Sequence, residues 1–292
     1  MLKCLAPAKI NLVLEVLGKR ADGYHEIRSL VQTINLCDVL FFELADEISF
    51  ECTEPSLQTS DNLVVQAAEL LRKAGGYNKG AKIKLEKRIS WGAGLGGGSS
   101  DGAVTLLALN KLWGLELATS GLVELAARLG SDMPFFVHGG TALMEGRGEK
   151  ITPLPASVTG WFVLLLPPLP RIPGKTQQLY SRLDARHFTE GHFADKALKI
   201  WSQDRQLSPS LLFNVFDKVA FDAFPGLEDY WKRFEGGGAK AIHLVGSGPA
   251  LFAPVDSEAK AEEVYQRLCQ QGLEAYSVST LGENAKILLL AI

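Results

Sequence analysis

Polar and apolar residues alternate over positions 9–16. Ile10, Leu12, Leu14 and Val16 fall on one face of a strand, and Lys9, Asn11, Val13 and Glu15 fall on the other. A short strand start at 3–5 precedes them, and Pro7 is expected to break the two apart. Further strands are predicted over 27–35, 39–43 and 48–52. A helix opens at Asp61-Asn62, with Asp61 as its expected N-cap, runs to Lys73 and stops at Gly75-Gly76. A strand follows over 81–87. The largely apolar run from Ala103 to Trp113 then predicts a helix, and another over 122–129 ends at Gly130. Thr141 begins a hairpin around Gly146-Arg147-Gly148.

Pro, Ser and Thr gather between Pro153 and Thr159, which puts a domain boundary there, with domains 1–155 and 156–292. Beyond it, 161–166 reads as a buried strand. Helices are predicted over 175–183, 194–203, 211–221 and 227–234. A strand at 241–245, a tight turn at Gly246-Ser247-Gly248-Pro249 and a strand at 251–255 come next. A helix over 257–271 and strands over 274–281 and 285–292 complete the chain. Strand-rich and helix-rich segments that do not alternate as βαβ units place it in the α+β class.

The stretch Gly92-Ala93-Gly94-Leu95-Gly96-Gly97-Gly98-Ser99-Ser100-Asp101 lies between a strand and a helix, and five of its ten residues are glycine. Glycine backbone can come close to a ligand. Successive N–H groups can form a concavity for anions, and a helix opening near Ser99 to Asp101 adds unpaired donors. The expected guest is a phosphate chain. The plainer alternative is a flexible loop with a capped helix behind it, since Ser99, Ser100 and Asp101 are all good caps. No Lys follows the glycines as a Walker A loop requires, and the loop comes after about ninety largely strand-forming residues rather than in a first βα turn.

Two other segments allow two readings each. The loop Gly18-Lys19-Arg20-Ala21-Asp22-Gly23-Tyr24-His25 carries two cations, a turn and two adjacent rings. It could stack a flat base on Tyr24 and read its edge with His25, or it could be a solvated hairpin loop. Asp132 precedes Met133-Pro134-Phe135-Phe136. It could cap a helix, or stand as a candidate base at the wall of the core.

Composition narrows the class. Hydrophobic content of 47%, charged content of 22% and a formal charge of −3 are those of an ordinary globular protein without a basic footprint for nucleic acid. Cys4, Cys37, Cys52 and Cys269 show no metal-ligand spacing. No signal peptide is recognised, and the longest apolar stretch, 161–170, is too short to span a membrane. The expectation is a cytoplasmic protein with no membrane partner.

Four stretches stand in a telling order: Pro7-Ala8-Lys9-Ile10-Asn11-Leu12, Gly92 to Asp101, Leu129-Gly130-Ser131-Asp132-Met133-Pro134-Phe135-Phe136, and Gly246-Ser247-Gly248-Pro249. Over essentially its whole length the chain resembles the small-molecule kinases named for galactose, homoserine, mevalonate and phosphomevalonate kinases. The resemblance implies an N-terminal domain like the second domain of ribosomal protein S5, a ferredoxin-like C-terminal domain and an active site in the cleft between them. It implies ATP as phosphoryl donor with Mg²⁺, possible near Ser99 and Ser100, and no metal site by direct motif. Lys9 and Asp132 become the catalytic pair. Gly92, Ala93, Gly94, Leu95, Gly96, Gly97, Gly98, Ser99 and Ser100 would hold the ATP phosphates, with Ser90 and Trp91 leading into the loop and Asn62 reaching the adenine. The 18–25 loop points to a family member acting on a cytidine diphosphate-linked methylerythritol, contacted by Asn11, Tyr24, His25 and Thr176. The alternatives are a sister kinase for mevalonate, homoserine or a sugar, and a non-catalytic nucleotide-binding protein.

Four residues depart from the family pattern. Ser90 stands where Pro is usual, and Trp91 is bulky for its place. Gly102 replaces Ala and should loosen the first turn of its helix slightly. Lys175 lies where Ser is more common.

Overall fold

Pro7 does not break the first strand. In a computed structural model, described over residues 1–156, 159–206, 208–282 and 290–291, β1 (Leu2–Lys19) runs through it and pairs antiparallel with β2 (His25–Ala45). The ladder shifts register between Pro7 and Ala8, which face Cys37 and Ile34, so the extra residues lie on β2. A second shift between Asn11 and Val13 splits the predicted apolar face. Ile10, Leu12 and Val13 join one buried cluster, while Leu14 and Val16 join another. Lys9 and Asn11 lie ahead of that shift and keep a common side.

The first sheet continues with β3 (Ser49–Cys52), β4 (Gly80–Glu86), β5 (Thr141–Gly146) and β6 (Lys150–Leu154). Between them come α1 (Leu63–Ala74), α2 (Gly97–Leu112), α3 (Thr119–Leu129) and α4 (Met133–His138). These helices pack on one sheet face, burying Val64, Leu71, Val104, Leu109 and Phe135 against Phe42, Ile83 and Leu85. Asn62, not Asp61, caps α1; its side chain accepts from the Val64 N–H at 2.9 Å. The helix behind the glycine loop starts at Gly97, earlier than expected, with Gly96 as its N-cap.

The remaining elements are β7 (Trp161–Leu166), α5 (Lys175–Ser181), α6 (His192–Asp204), β8 (Phe213–Asn214), α7 (Ala220–Ala223), α8 (Leu227–Gly236), β9 (His243–Leu244), β10 (Leu251–Val255), α9 (Glu258–Gln270) and β11 (Glu274–Ser279). A four-stranded antiparallel sheet forms in the order β11-β7-β10-β9. With its two sheets the protein is α+β. The helix predicted over 211–221 does not form as one piece. Asn214 interrupts it, because its side chain accepts from the Phe216 N–H and donates to the Leu244 and Gly246 carbonyls. Such side-chain bonds offer the backbone an alternative to helix. β8 pairs with β1 instead, parallel, at Val13 and Leu14. The expected strand at 241–245 is shortened to β9. Of the strand expected over 285–292, only β12 (Leu290–Ala291) falls among the described residues, and it pairs with Leu2 and Lys3 of the first sheet.

The two sheets share a third buried cluster. Ala8, Ile10, Leu30 and Ile34 meet Phe162, Leu164, Val245 and Phe252, with Trp201 of α6 beside them. Buried Glu15 adds a polar tie, accepting from the Phe193 and Ala194 N–H groups at 3.3 and 2.7 Å at the start of α6. Removing that carboxylate strands one buried donor, at Ala194, and a half-buried one, at Phe193. Glu15→Ala is therefore expected to lower stability by roughly 2 kcal/mol. A urea unfolding curve displaced by less than about a quarter of that would mean that α6 is held by packing alone.

Candidate active site

The glycine loop is fixed through its carbonyl groups. Lys9 N–H donates to Leu95 O at 2.9 Å, Ala250 N–H to Ala93 O at 3.2 Å, and Lys175 Nζ to Gly92 O at 2.9 Å. Gly94 has φ +96°, and a Cβ there would lie 2.1 Å from Val245 O. Only glycine allows that approach. The first N–H groups of α2, at Gly97, Gly98 and Ser99, have no acceptor within the helix. Gly96 supplies no capping side chain, so these donors stay available beside the cavity that the three residues line.

That cavity has a volume of about 1090 Å³. Lys9, Asn11, Tyr24, His25, the run Ser90 to Ser99, Asp132 and Thr176 all line it. Asn62 and Ser100 do not. The Asn62 amide donates to Leu57 O at 2.9 Å while its oxygen caps α1, so both ends are engaged, and its neighbour Leu63 reaches the wall. Ser100 is fully buried, its Oγ without a partner among the described residues.

Lys9 is held by a ladder of neutral groups. Its Nζ donates to Asn11 Oδ1 at 2.7 Å, Asn11 Nδ2 to Ser29 Oγ at 2.8 Å, and Ser29 Oγ to Val13 O at 2.6 Å. Asp132 Oδ2 stands 3.8 Å from Lys9 Nζ. The Lys9 side chain is 8% exposed and that of Asp132 41%. Asp132 occupies the N-cap position of α4, yet its side chain makes no capping bond. Burial draws the Lys9 pKa down, and Asp132 opposes that shift. An ammonium and a carboxylate thus face one space, close enough to share a hydroxyl placed between them.

Beneath the loop lies a second, closed charge cluster. Lys87 Nζ donates to Asp38 Oδ2 at 2.5 Å and to Asp101 Oδ2 at 2.8 Å. Asp38 Oδ1 also accepts from the Arg88 and Ile89 N–H groups. Burial works against the Lys87 charge, but Asp101 and Asp38 together leave its pKa above the ordinary lysine value. Burial, helped by the like charge of Asp38 and opposed by Lys87, pushes the Asp101 carboxyl up to about 8.

At the other end of the cavity the two rings of the 18–25 loop part company. Tyr24 is 54% exposed, with the Arg147 guanidinium 4.7 Å from its ring centroid. His25 stacks on Tyr180, centroids 4.9 Å apart and planes 21° apart, and Tyr180 meets Phe216 edge-on at 5.0 Å. Burial first, then Lys19, lowers the His25 pKa, which favours a neutral ring with one donor and one acceptor. Tyr180, Phe216, Arg147 and Ser247 line the site without having been singled out from the sequence for it. The Gly246 to Pro249 turn was conspicuous; the docking of α5 and Phe216 has no local signal. Trp91, an apparent misfit, has the Arg171 guanidinium carbon 3.2 Å from its ring centroid.

Among the described residues no group of three or more His, Cys, Asp or Glu could hold a metal. Ser99 and Asp132 are oxygen donors on the cavity wall. This sparse, hard donor set fits a Mg²⁺ ion that arrives on nucleotide phosphates and keeps several waters.

The buried cluster makes a pH prediction. Asp101 is raised from 3.8 to about 8 in the folded state. Between those values the folded protein holds a proton that the unfolded chain has lost, so this group's contribution to stability falls as pH rises. Asp101→Asn should flatten that slope and be close to neutral at pH 5. Asp38→Asn, which weakens the pairing of a buried lysine, should cost roughly 3 kcal/mol. Urea midpoints measured from pH 5 to 8 test both, and an unchanged slope in Asp101→Asn would refute the titration assignment.

Comparison with known proteins identifies the family. Residues 62–140 match the GHMP kinases N terminal domain, and residues 196–274 match the GHMP kinases C terminal domain. A 4-diphosphocytidyl-2-C-methyl-D-erythritol kinase of Dehalococcoides mccartyi is 48% identical over 282 residues, 97% of this chain and 99% of that protein. One of the same name from Geobacillus kaustophilus is 38% identical, covering 96% and 97%. The crystal structure of a 4-(cytidine 5'-diphospho)-2C-methyl-D-erythritol kinase superposes with a TM-score of 0.79 at 33% identity, covering 95% of this chain and 98% of that one. Homoserine kinase from Cytophaga hutchinsonii, at 17% identity and a TM-score of 0.73, shares the fold.

Proposed function

The chain belongs to the GHMP kinases, and within them to the 4-diphosphocytidyl-2-C-methyl-D-erythritol kinases; from that premise we propose that it moves the γ-phosphoryl group of ATP to the 2-hydroxyl of 4-diphosphocytidyl-2-C-methyl-D-erythritol, in the non-mevalonate route to isoprenoid precursors. The observation that carries this reading is the meeting of Lys9 and Asp132, 3.8 Å apart, beside the glycine loop and in one cavity with the His25–Tyr180 stack. The loop is the phosphate site, and the stack is the platform for the cytosine ring. Residues 1–155 form the ATP-binding and catalytic domain, of the ribosomal protein S5 domain 2 type. Residues 156–292 form a ferredoxin-like substrate-side domain, with the active site in the cleft. The enzyme works in the cytoplasm on small molecules and has no nucleic-acid partner. Among the described residues no helix is long and apolar enough to cross a membrane.

Phosphoryl transfer asks chiefly for positioning and charge stabilisation. Lys9, rigid on its Asn11–Ser29 ladder, orients the acceptor hydroxyl. Asp132 accepts its proton as the oxygen attacks the γ-phosphorus and the bond to the β-phosphate oxygen breaks, releasing ADP. Glycine-loop N–H groups hold the charge that develops on the phosphates. Ser99 and Asp132 are the oxygen donors that would hold a Mg²⁺ ion arriving with ATP, and the ion would supply neutralisation of phosphate charge there. Ser90, Trp91 and the loop as far as Ser99 contact ATP; Asn11, Tyr24, His25 and Thr176 contact the acceptor. Asn62 and Ser100 act from behind, through the α1 cap and the packing under the loop.

A coupled ADP-release assay checks the reading. The cytidyl substrate should turn over, and mevalonate and homoserine should not. Lys9→Met and Asp132→Asn should each cut kcat by roughly 10²–10⁴-fold. Turnover of either decoy at a comparable kcat/KM would retain the kinase class and defeat the cytosine platform.

A further inference from the structure

Lys175 sits at the start of α5, in the half of the chain that carries neither Lys9 nor Asp132. Its Nζ donates to Gly92 O at 2.9 Å and also to Gly248 O. Those carbonyls belong to the two glycine turns that frame the cavity, and Lys175 lines it. An ammonium has three donors. Two are fixed on backbone carbonyls, which hold the group in place, and one remains.

The charges around it are unusual. Among the described residues no carboxylate lies within ion-pair distance of Lys175. The charged group that acts on it is a second cation, Lys9 of β1. The glycine loop from Gly92 to Gly98 and the turn Gly246 to Pro249 bring no charged residue. Asp132, ahead of α4, is 3.8 Å from Lys9. Tyr180 lies one turn further along α5, and Arg171 precedes it over the Trp91 ring. Two ammonium groups line one cavity, only Lys9 with a carboxylate beside it, and together they form a site for a polyanion.

We propose that Lys175 binds a phosphate group of the nucleotides in this cavity, as a second cation beside Lys9, and so sets nucleotide affinity. The proposal rests on the kinase reading only in that phosphates occupy the cavity. Both the ATP donor and the cytidine diphosphate acceptor carry the required chemistry. The contact comes from a position where the family more often has Ser, and it also accounts for that departure. Burial, with repulsion from Lys9, holds the Lys175 pKa down to about 8. A bound phosphate would raise it, and affinity should fall as pH rises past that value.

Calorimetric titration of the full chain separates the possibilities. Wild type, Lys175→Met and Lys175→Arg are titrated with a non-hydrolysable ATP analogue and, separately, with cytidine diphosphate. Lys175→Met should bind one of them roughly ten- to hundredfold more weakly, as loss of a charge-assisted contact implies. Lys175→Arg should stay within about threefold of wild type. Between pH 7 and 9 the wild type should weaken more than Lys175→Arg; Lys9 is common to both, so the difference reports Lys175. Loss with the ATP analogue assigns the donor phosphates, and loss with cytidine diphosphate assigns the acceptor. Unchanged affinity for both in Lys175→Met, with a lowered melting temperature, would overturn the proposal and leave Lys175 a brace between two turns. Failure to turn over the cytidyl substrate, with these affinity changes present, would defeat the acceptor assignment and not this one.

Discussion

Two stretches of bare backbone, one from each half of the chain, come closer than side chains would permit. A Cβ on Gly94 would lie 2.1 Å from Val245 O, and one on Gly246 would lie 3.0 Å from Lys9 Nζ and 3.3 Å from Asn11 Oδ1. The rest of the site follows from this contact. It sets the glycine loop against the start of β1, so that Lys9 can donate its N–H to Leu95 O. It also brings the 246–249 turn, steadied by Asn214, to the same corner. Glycine at these positions costs conformational entropy in the unfolded chain. The shared apolar cluster of Ile10, Leu30, Phe162, Val245 and Phe252 lies behind the contact and offsets that cost.

Charge is arranged differently on the two sides of the loop. Below it, Lys87 lies between Asp38 and Asp101, and Asp38 collects two backbone N–H groups as well. That cluster is closed and serves position. On the cavity side, Lys9 is held by Asn11, a neutral group, and its carboxylate partner stands off at 3.8 Å. Neutral support fixes geometry without using up the charge. An ammonium tied as closely as Lys87 would have little left to offer a phosphate or a hydroxyl.

Much of this was legible in the sequence because it is local. Strand alternation put Lys9 and Asn11 on one side and the glycine run marked a phosphate loop; that Asp132 belongs with them was implied by the resemblance the four motifs carry, and all of them line one cavity. What escaped has physical reasons. The ladder shifts register at Pro7–Ala8 and at Asn11–Val13, and alternation alone cannot place inserted residues. The helix expected over 211–221 lost to bonds from Asn214 to carbonyls about thirty residues away. Asn62, which the resemblance assigns to the adenine, has both ends of its amide engaged at the start of α1. Tyr180 reaches His25, with Phe216 edge-on to it, only because their half of the chain docks on β1, a tertiary event with no pattern in either segment.

Gly102 shows how a departure that looks slight can act on the chemistry. Read along α2 alone, it only weakens a helical turn. In three dimensions a Cβ there would fall 2.8 Å from Met133 Cε and 3.2 Å from Leu63 Cβ. The residue after Asp132 and the residue after Asn62 therefore both close on this one position. A methyl group would have to displace the flexible end of Met133 and press on the start of α1. Met133 is buried and adjoins the carboxylate that faces Lys9, while Leu63 lines the cavity. The small residue in α2 thus helps set how near α4 comes, and with it where Asp132 stands. The spacing of Lys9 and Asp132 is in part a packing quantity, fixed by what α2 leaves empty.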